Sequence, residues 1–169
     1  VGGGIAGCSL ALALAQQGRR VALVETQPPP AAEPNDLRVF ALSPASALLL
    51  QRVGVWPHVS DQYYSPYRHM SVWDSGHAPG VRFTADLIGE AQLGWIVADT
   101  AIRSAAWKAL SAALGITPFC PARVVHVHTG ATQVTLQLDD ARCLRASLVV
   151  AADGIFSPLR EWAGIGVLG

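Results

Sequence analysis

Lysine is almost missing from this chain, and so is any imbalance of charge. Of 12 basic residues only Lys108 is a lysine, and 12 acidic residues bring the formal net charge to zero. No run of Lys or Arg forms a phosphate-tracking patch, which argues against a nucleic-acid partner. Cysteine is scarce as well: Cys8, Cys120 and Cys143 show neither C-x-x-C nor Cys/His ligand spacing. An odd, scattered set suits free thiols in a reducing compartment, not a disulfide framework. Apolar runs fall far short of a bilayer span, so no transmembrane helix is expected. G-x-S-x-G is absent, which removes the nucleophile elbow of a Ser-His-Asp hydrolase. His126 and His128 stand two apart on one face of an expected strand without a third ligand, so no metal site is expected. Five tryptophans (Trp56, Trp73, Trp95, Trp107 and Trp162) are spread out as packing residues and not gathered as a base-stacking platform.

What is present is a globular composition. The 169 residues are 51% hydrophobic, which suits one domain or a large piece of one. The chain opens "VGGGIAGCSLALALAQQGRRVALVE", where Gly2, Gly4 and Gly7 satisfy G-x-G-x-x-G. Ala6 to Gln17 reads as a buried helix closed by Gly18. "RRVALVE" follows as a short strand ending in Glu25, 18 residues after Gly7. This order asks for a strand before Gly2, of which Val1 is the last residue, to complete a βαβ unit. The pattern predicts a site for an ADP-containing dinucleotide. The first glycine permits the tight turn, the second lets the backbone approach a pyrophosphate, and the third lets helix and strand pack. The helix N-terminus offers free N–H groups to the anion, and Glu25 suits a ribose diol and disfavours a 2′-phosphate. The other reading of the triplet is a helix-packing glycine cluster, and the motif does not choose between NAD and FAD.

Along the rest of the chain, "TQPPPAAEPND" reads as a stiff Pro-rich connection. "LSPASALLLQRVG" predicts a helix with Ser43 as N-cap, Pro44 at its first position and Gly54 past its end. "YRHMSVWD" and "GVRFTADL" predict two strands around the turn "SGHAPG", with "LGWIVAD" a third. Thr100 to Leu114 is a predicted helix closed by Gly115. "ARVVHVHT", "TQVTLQLDD" and "CLRASLVVAAD" are predicted strands, and "SPLREWAG" a helix capped by Ser157. The strand ending in Asp153-Gly154 is either a second contact to a ligand or an ordinary strand-to-helix turn.

Together these stretches resemble the FAD-dependent aromatic hydroxylases of the p-hydroxybenzoate hydroxylase type, and most of all the ubiquinone-biosynthesis hydroxylases of polyprenylated phenols. The matching segments are the opening run, "DLRVFALSPASALLLQRVGVW", "MSVWD", "LGWIVADTAIRSAAWKAL" and "LRASLVVAADGIFSPLREWAGIGV", in the family's order over nearly the whole chain. The resemblance implies an α/β fold: a Rossmann-like FAD-binding βαβ domain with an antiparallel β excursion from the substrate domain. Residues 1–66 and 98–169 would belong to the FAD-binding part and 67–97 to the substrate-domain sheet. It also implies a chain truncated at both ends, with the family's later G-D motif lying beyond Gly169.

On residues, the resemblance assigns Gly2, Gly4, Gly7 and Glu25 to the adenosine and pyrophosphate of FAD. It sets Arg38 near the FAD phosphates, Arg103 against the flavin nucleotide, and Asp153 and Gly154 in a motif used for FAD and NAD(P)H. It names no catalytic side chain. Where relatives read Val-Glu-Asn this chain has Val97-Ala98-Asp99-Thr100, and Asp99 or Thr100 is expected to cap the following helix. The implied activity is an FAD- and NAD(P)H-dependent monooxygenase hydroxylating a polyprenylated phenol with O₂ through a flavin C4a-hydroperoxide. The implied setting is cytoplasmic, at the periphery of the inner membrane or in a ubiquinone-biosynthesis complex. The rival readings are an NAD-dependent dehydrogenase or flavin reductase, and a nucleotide-binding assembly module without turnover.

Overall fold

The structure is a computed structural model that describes residues 1–33, 36–74 and 77–166. In chain order, α1 (Ile5–Gln16) and β1 (Val21–Val24) precede β2 (Val39–Leu42), α2 (Pro44–Arg52), β3 (Tyr64–Tyr67), β4 (His69–Asp74), β5 (His77–Thr84) and β6 (Gly94–Ala98). Then come α3 (Asp99–Ala112), β7 (Ile116–Phe119), β8 (Val124–Thr129), β9 (Val134–Leu138), β10 (Cys143–Ala146) and α4 (Pro158–Trp162). They form two compact units, one of residues 1–30 with 106–169 and one of residues 31–105.

In the first unit, α1 is an Ala/Leu-rich helix that buries Gly7, Cys8, Ala11 and Leu12. It stops where Gly18 turns to φ +73°, a conformation that favours glycine. β1 pairs in parallel with β7, from Val21 opposite Ile116 to Val24 opposite Phe119. On its other side Gly2 N–H donates to Val24 O at 2.8 Å. Val1 N donates to Val150 O and Ala152 N–H donates to Val1 O, both at 2.8 Å, the exchange found between parallel strands. Val1-Gly2 therefore lies between β1 and residues 150–152, and Val1-Gly2, α1 and β1 make the expected βαβ unit. The antiparallel meander β10-β9-β8 packs beside it. Val24, Ala122, Val124, Leu136, Leu138 and Leu159 form the buried cluster joining these pieces. α4 starts at Ser157, whose Oγ accepts from Arg160 N–H at 3.0 Å.

In the second unit, β6 sits between β2 and β3 in an antiparallel sheet. α2 begins as expected, with Ser43 Oγ accepting from Ser46 N–H and Pro44 in the first turn. β4 and β5 form a hairpin in which Met70 opposes Phe83 and Val72 opposes Val81. Those two pairs share one face because strand side chains alternate. The first turn of α3 is capped from a distance. Asp36 Oδ2 accepts from Thr100 N–H at 2.7 Å, so a residue 64 positions away satisfies one N–H of that turn.

Three strands escape a reading by β-propensity. β3 and β7 carry Pro66 and Pro118, and proline demotes a run read in isolation. β2 is four residues long and overlaps a loop-rich stretch. The run "CLRASLVVAAD" divides: Cys143–Ala146 joins β9, while residues 150–152 turn to Val1. Pro34 and Asn35 of the Pro-rich loop, and Ser75 and Gly76 of the expected turn, lie outside the described residues.

Leu138 is 1% exposed at the centre of the first unit's core, whereas Leu148 is 72% exposed. Leu138→Ala is expected to lower stability by about 2–5 kcal/mol. Leu148→Ala should stay within about 0.5 kcal/mol. Urea unfolding of both variants checks the contrast.

Candidate functional site

The glycine turn is built by two close backbone approaches, at Gly2 and Gly7, and one open position, Gly4. Gly2 has φ +102°, and a Cβ there would stand 2.1 Å from Ala152 O. Gly7 is buried at the start of α1, and its Cβ would stand 1.9 Å from Gly2 O. Both positions are glycine because neighbouring backbone fills the space. Gly4 differs: a Cβ there would meet nothing within 4 Å. No packing among the described residues demands glycine at Gly4, and its lack of a side chain leaves that space open.

That room lies at the N-terminus of α1. Gly4 is the N-cap residue, without a side-chain cap and with no acidic residue in the first turn. The first helical bond runs from Cys8 N–H to Gly4 O at 2.9 Å. The N–H groups before it have no partner inside the helix, and the helix dipole favours an anion there. Gly3 N–H, one step earlier, donates to Glu25 Oε2 at 2.6 Å.

Glu25 stands at the end of β1, held by its own N–H to Phe119 O and by Ala122 N–H to its carbonyl. Its other carboxylate oxygen, Oε1, accepts from Gln27 N–H at 2.8 Å and Thr26 Oγ1 at 3.1 Å. Burial pushes the Glu25 carboxyl up, but the hydrogen bonds from Gln27, Gly3 and Thr26 outweigh it and hold the group below the usual glutamate range. At neutral pH it is an oriented acceptor. Three donors leave about one of a carboxylate's four lone-pair positions free, enough for a hydroxyl.

Asp153 comes to the same place from across the chain, with Gly154 the next residue. Asp153 Oδ2 accepts from Leu159 N–H at 3.4 Å, while its buried Oδ1 has no hydrogen-bond partner among the described residues. Gly154 has φ +92° and turns the chain toward α4. Gly2, Glu25, Thr26, Arg123, Asp153 and Trp162 line a cleft of about 470 Å³ in this unit. An oriented carboxylate, an orphaned buried acceptor and a side-chain-free helix N-terminus match a nucleotide's hydroxyls and phosphates. The residues fit FAD on those grounds.

Arg38 and Arg103 belong to the second unit, where they meet around Asp99. Arg38 N–H donates to Asp36 Oδ1 at 2.9 Å, and Arg38 O accepts from Asp99 N–H at 2.9 Å. The Arg38 guanidinium lies 5.5 Å from the Phe40 ring centroid. Arg103 pairs with Asp99 at 3.7 Å one helical turn away. Gly3, Thr26, Trp107, Trp162 and the Ala122–Val124 wall of the cleft went unread in the sequence, as did Asp36 in the second unit. The third adjacent glycine in "GGG" was a signal for Gly3. Trp107 and Asp36 act over 104 and 64 residues of separation and leave no local pattern. No group of three or more potential metal ligands occurs among the described residues.

A family model described as FAD binding domain matches residues 1–169. The 3-demethoxyubiquinol 3-hydroxylase of Escherichia coli (strain K12) is 38% identical over 170 residues, covering 99% of this chain and 43% of the relative. The ubiquinone hydroxylase UbiL of Rhodospirillum rubrum is 33% identical over 169 residues, covering 99% of this chain and 39% of the relative. Among solved structures, PqsL, a probable FAD-dependent monooxygenase from Pseudomonas aeruginosa, matches with a TM-score of 0.77 at 24% identity. That match covers 99% of this chain and 45% of the other and bears on the fold. The chain thus spans less than half the length of these relatives.

Because the folded-state value of Glu25 is depressed, its stabilising contribution is complete at neutral pH. It is lost as the pH falls through that depressed value. Glu25→Gln should therefore lie below wild type in melting temperature at about pH 7, with the gap shrinking toward about pH 3. Thermal unfolding at the two pH values measures it.

Proposed function

The chain belongs to the FAD binding domain family, and from that premise we propose that it is the FAD-holding part of a flavin-dependent monooxygenase of ubiquinone biosynthesis. The reaction proposed is NAD(P)H- and O₂-dependent hydroxylation of the ring of a polyprenylated phenol or quinol. The observation that carries the cofactor half is the empty surround of Gly4, glycine at a position where the fold itself would accept a side chain. The substrate half rests on the relatives' names, a demethoxyubiquinol hydroxylase at 38% identity and a ubiquinone hydroxylase at 33%.

In this reading Gly2 and Gly7 shape the turn, and the N–H groups at Gly4 and the start of α1 bind the pyrophosphate. Glu25 accepts a hydrogen bond from a ribose hydroxyl. Asp153 and Gly154 contact the nucleotide from the opposite wall of the cleft. By the family resemblance alone, Arg38 and Arg103 are proposed as further FAD-binding residues. When bound, FAD supplies the redox step, taking electrons from NAD(P)H and passing them to O₂. The chain's own residues bind and orient, so no side chain is assigned as acid or base.

Residues 67–97 are proposed to belong to the substrate-domain sheet. In support, the β4–β5 hairpin exposes Val72, Val81 and Phe83, each 48–58% accessible, on one face. The prenyl tail of the substrate argues for work at a membrane surface, peripheral to the inner membrane or in a biosynthetic complex. No helix among the described residues is long and apolar enough to cross a membrane.

The test uses the full-length parent enzyme. Visible flavin absorbance, with NAD(P)H oxidation stimulated by a phenol and a hydroxylated product, is the expected result. A colourless protein that binds NAD⁺ instead would overturn it. In the same protein Glu25→Ala should weaken FAD retention. Gly4→Val should lose flavin while keeping the wild-type melting temperature of the apoprotein, because its branched side chain fills only the ligand's space. Normal flavin content in the Gly4 variant contradicts the assigned turn.

A further inference from the structure

The peptide between Gly3 and Gly4 presents the first N–H of the anion site, and nothing in its own two residues holds it in place. Both flanking residues are glycine, the residue with the widest choice of φ and ψ, so the peptide plane can flip at little steric cost. A flip matters chemically. In a trans peptide the C=O and N–H point in opposite directions. Turning the plane over would replace the Gly4 donor with the Gly3 carbonyl oxygen, which repels a phosphate.

Two side chains hold that carbonyl on the far side. Trp107 Nε1–H, from α3, donates to Gly3 O at 3.0 Å. Cys8 Sγ–H, from the second turn of α1, donates to the same oxygen at 3.2 Å. The indole also occupies the space beside the glycine: a Cβ on Gly3 would stand 2.6 Å from Trp107 Cζ2 and 2.9 Å from Glu25 Cβ. From the other end of the residue, Gly3 N–H is taken by Glu25 Oε2 at 2.6 Å. The Gly3 backbone is thus tied on both sides, by an acceptor on its N–H and by two donors on its carbonyl.

We propose that Trp107, assisted by Cys8, is a positioning residue for the dinucleotide pyrophosphate: its indole N–H pins the Gly3 carbonyl so that the Gly4 N–H faces the anion. The proposal rests on the dinucleotide reading of the glycine turn. It adds a residue outside the G-x-G-x-x-G signature and accounts for the third adjacent glycine, Gly3, as the seat of the indole. Trp107 itself touches no phosphate in this arrangement.

The experiment titrates ADP and FAD separately into wild type and Trp107→Phe, which keeps an aromatic ring and removes the N–H. Melting temperature and the Gly4 backbone ¹⁵N shift are read on the same samples without ligand. The expected result is a loss of affinity of about 2- to 12-fold for both probes, the worth of one hydrogen bond. It should come with a displaced Gly4 amide signal and a near wild-type melting temperature. Cys8→Ala, a smaller change, should shift the same signal and weaken both probes less. Wild-type affinity for ADP in Trp107→Phe overturns the proposal, as does a loss that merely tracks the unfolded fraction in both variants. Failure of wild type to bind either probe overturns the dinucleotide reading itself, and the lock with it.

Discussion

The nucleotide end of the chain depends on one close approach, that of the Gly2 backbone to the Ala152 carbonyl. A side chain at Gly2 would collide with that carbonyl, and the contact joins two segments separated by about 150 residues of sequence. Once Val1-Gly2 is seated between Val24 and residues 150–152, other features follow. α1 must leave the sheet at Gly4, Gly7 must pass under the Gly2 carbonyl, and the Asp153-Gly154 turn must open beside the same cleft. Gly2 and Gly7 are required by backbone packing, whereas Gly4 is not.

The electrostatics of the cleft divide by position. The N-terminus of α1 has no acidic residue in its first turn and keeps its partial positive charge for an anion. Glu25 sits one strand away, ionised and held by backbone donors, where a neutral hydroxyl can reach it. Such a layout sets a helix N-terminus and an ionised carboxylate close together, joined through the Gly3 N–H bond to Glu25. In the second unit, Asp36 and Asp99 perform a different task, with Asp36 tying the Arg38 loop to the first turn of α3. Arg38, through its carbonyl, and Arg103, through its guanidinium, thereby both contact Asp99.

Much of this was readable from local pattern. The extents of α1 (within a residue) and α2, their terminal glycines, the Ser43 cap of α2 and the carboxylate at the end of β1 follow from helix propensity and cap chemistry over a few residues. β2, β3 and β7 were not legible, because their strand character comes from partners. Among the described residues β7 pairs only with β1 and β3 only with β6, so Pro118 and Pro66 sit on edge strands, where proline is acceptable. The division of "CLRASLVVAAD" is of the same kind, for Val1 and β9 compete for different parts of one apolar run.

The sequence by itself determined the βαβ opening, the glycine spacing and the acid at its fixed distance, because each is a property of neighbours in the chain. Only the tertiary structure decided why each glycine is needed. Backbone from the far end of the chain excludes a side chain at Gly2, and the Gly2 carbonyl excludes one at Gly7. Gly4 is left facing open space. Tertiary folding also chose Trp107 to hold the Gly3 carbonyl and Asp36 to cap α3. Those contacts join residues whose separation in sequence carries no periodicity, and a hydrogen bond of that kind exists only after the chain has folded.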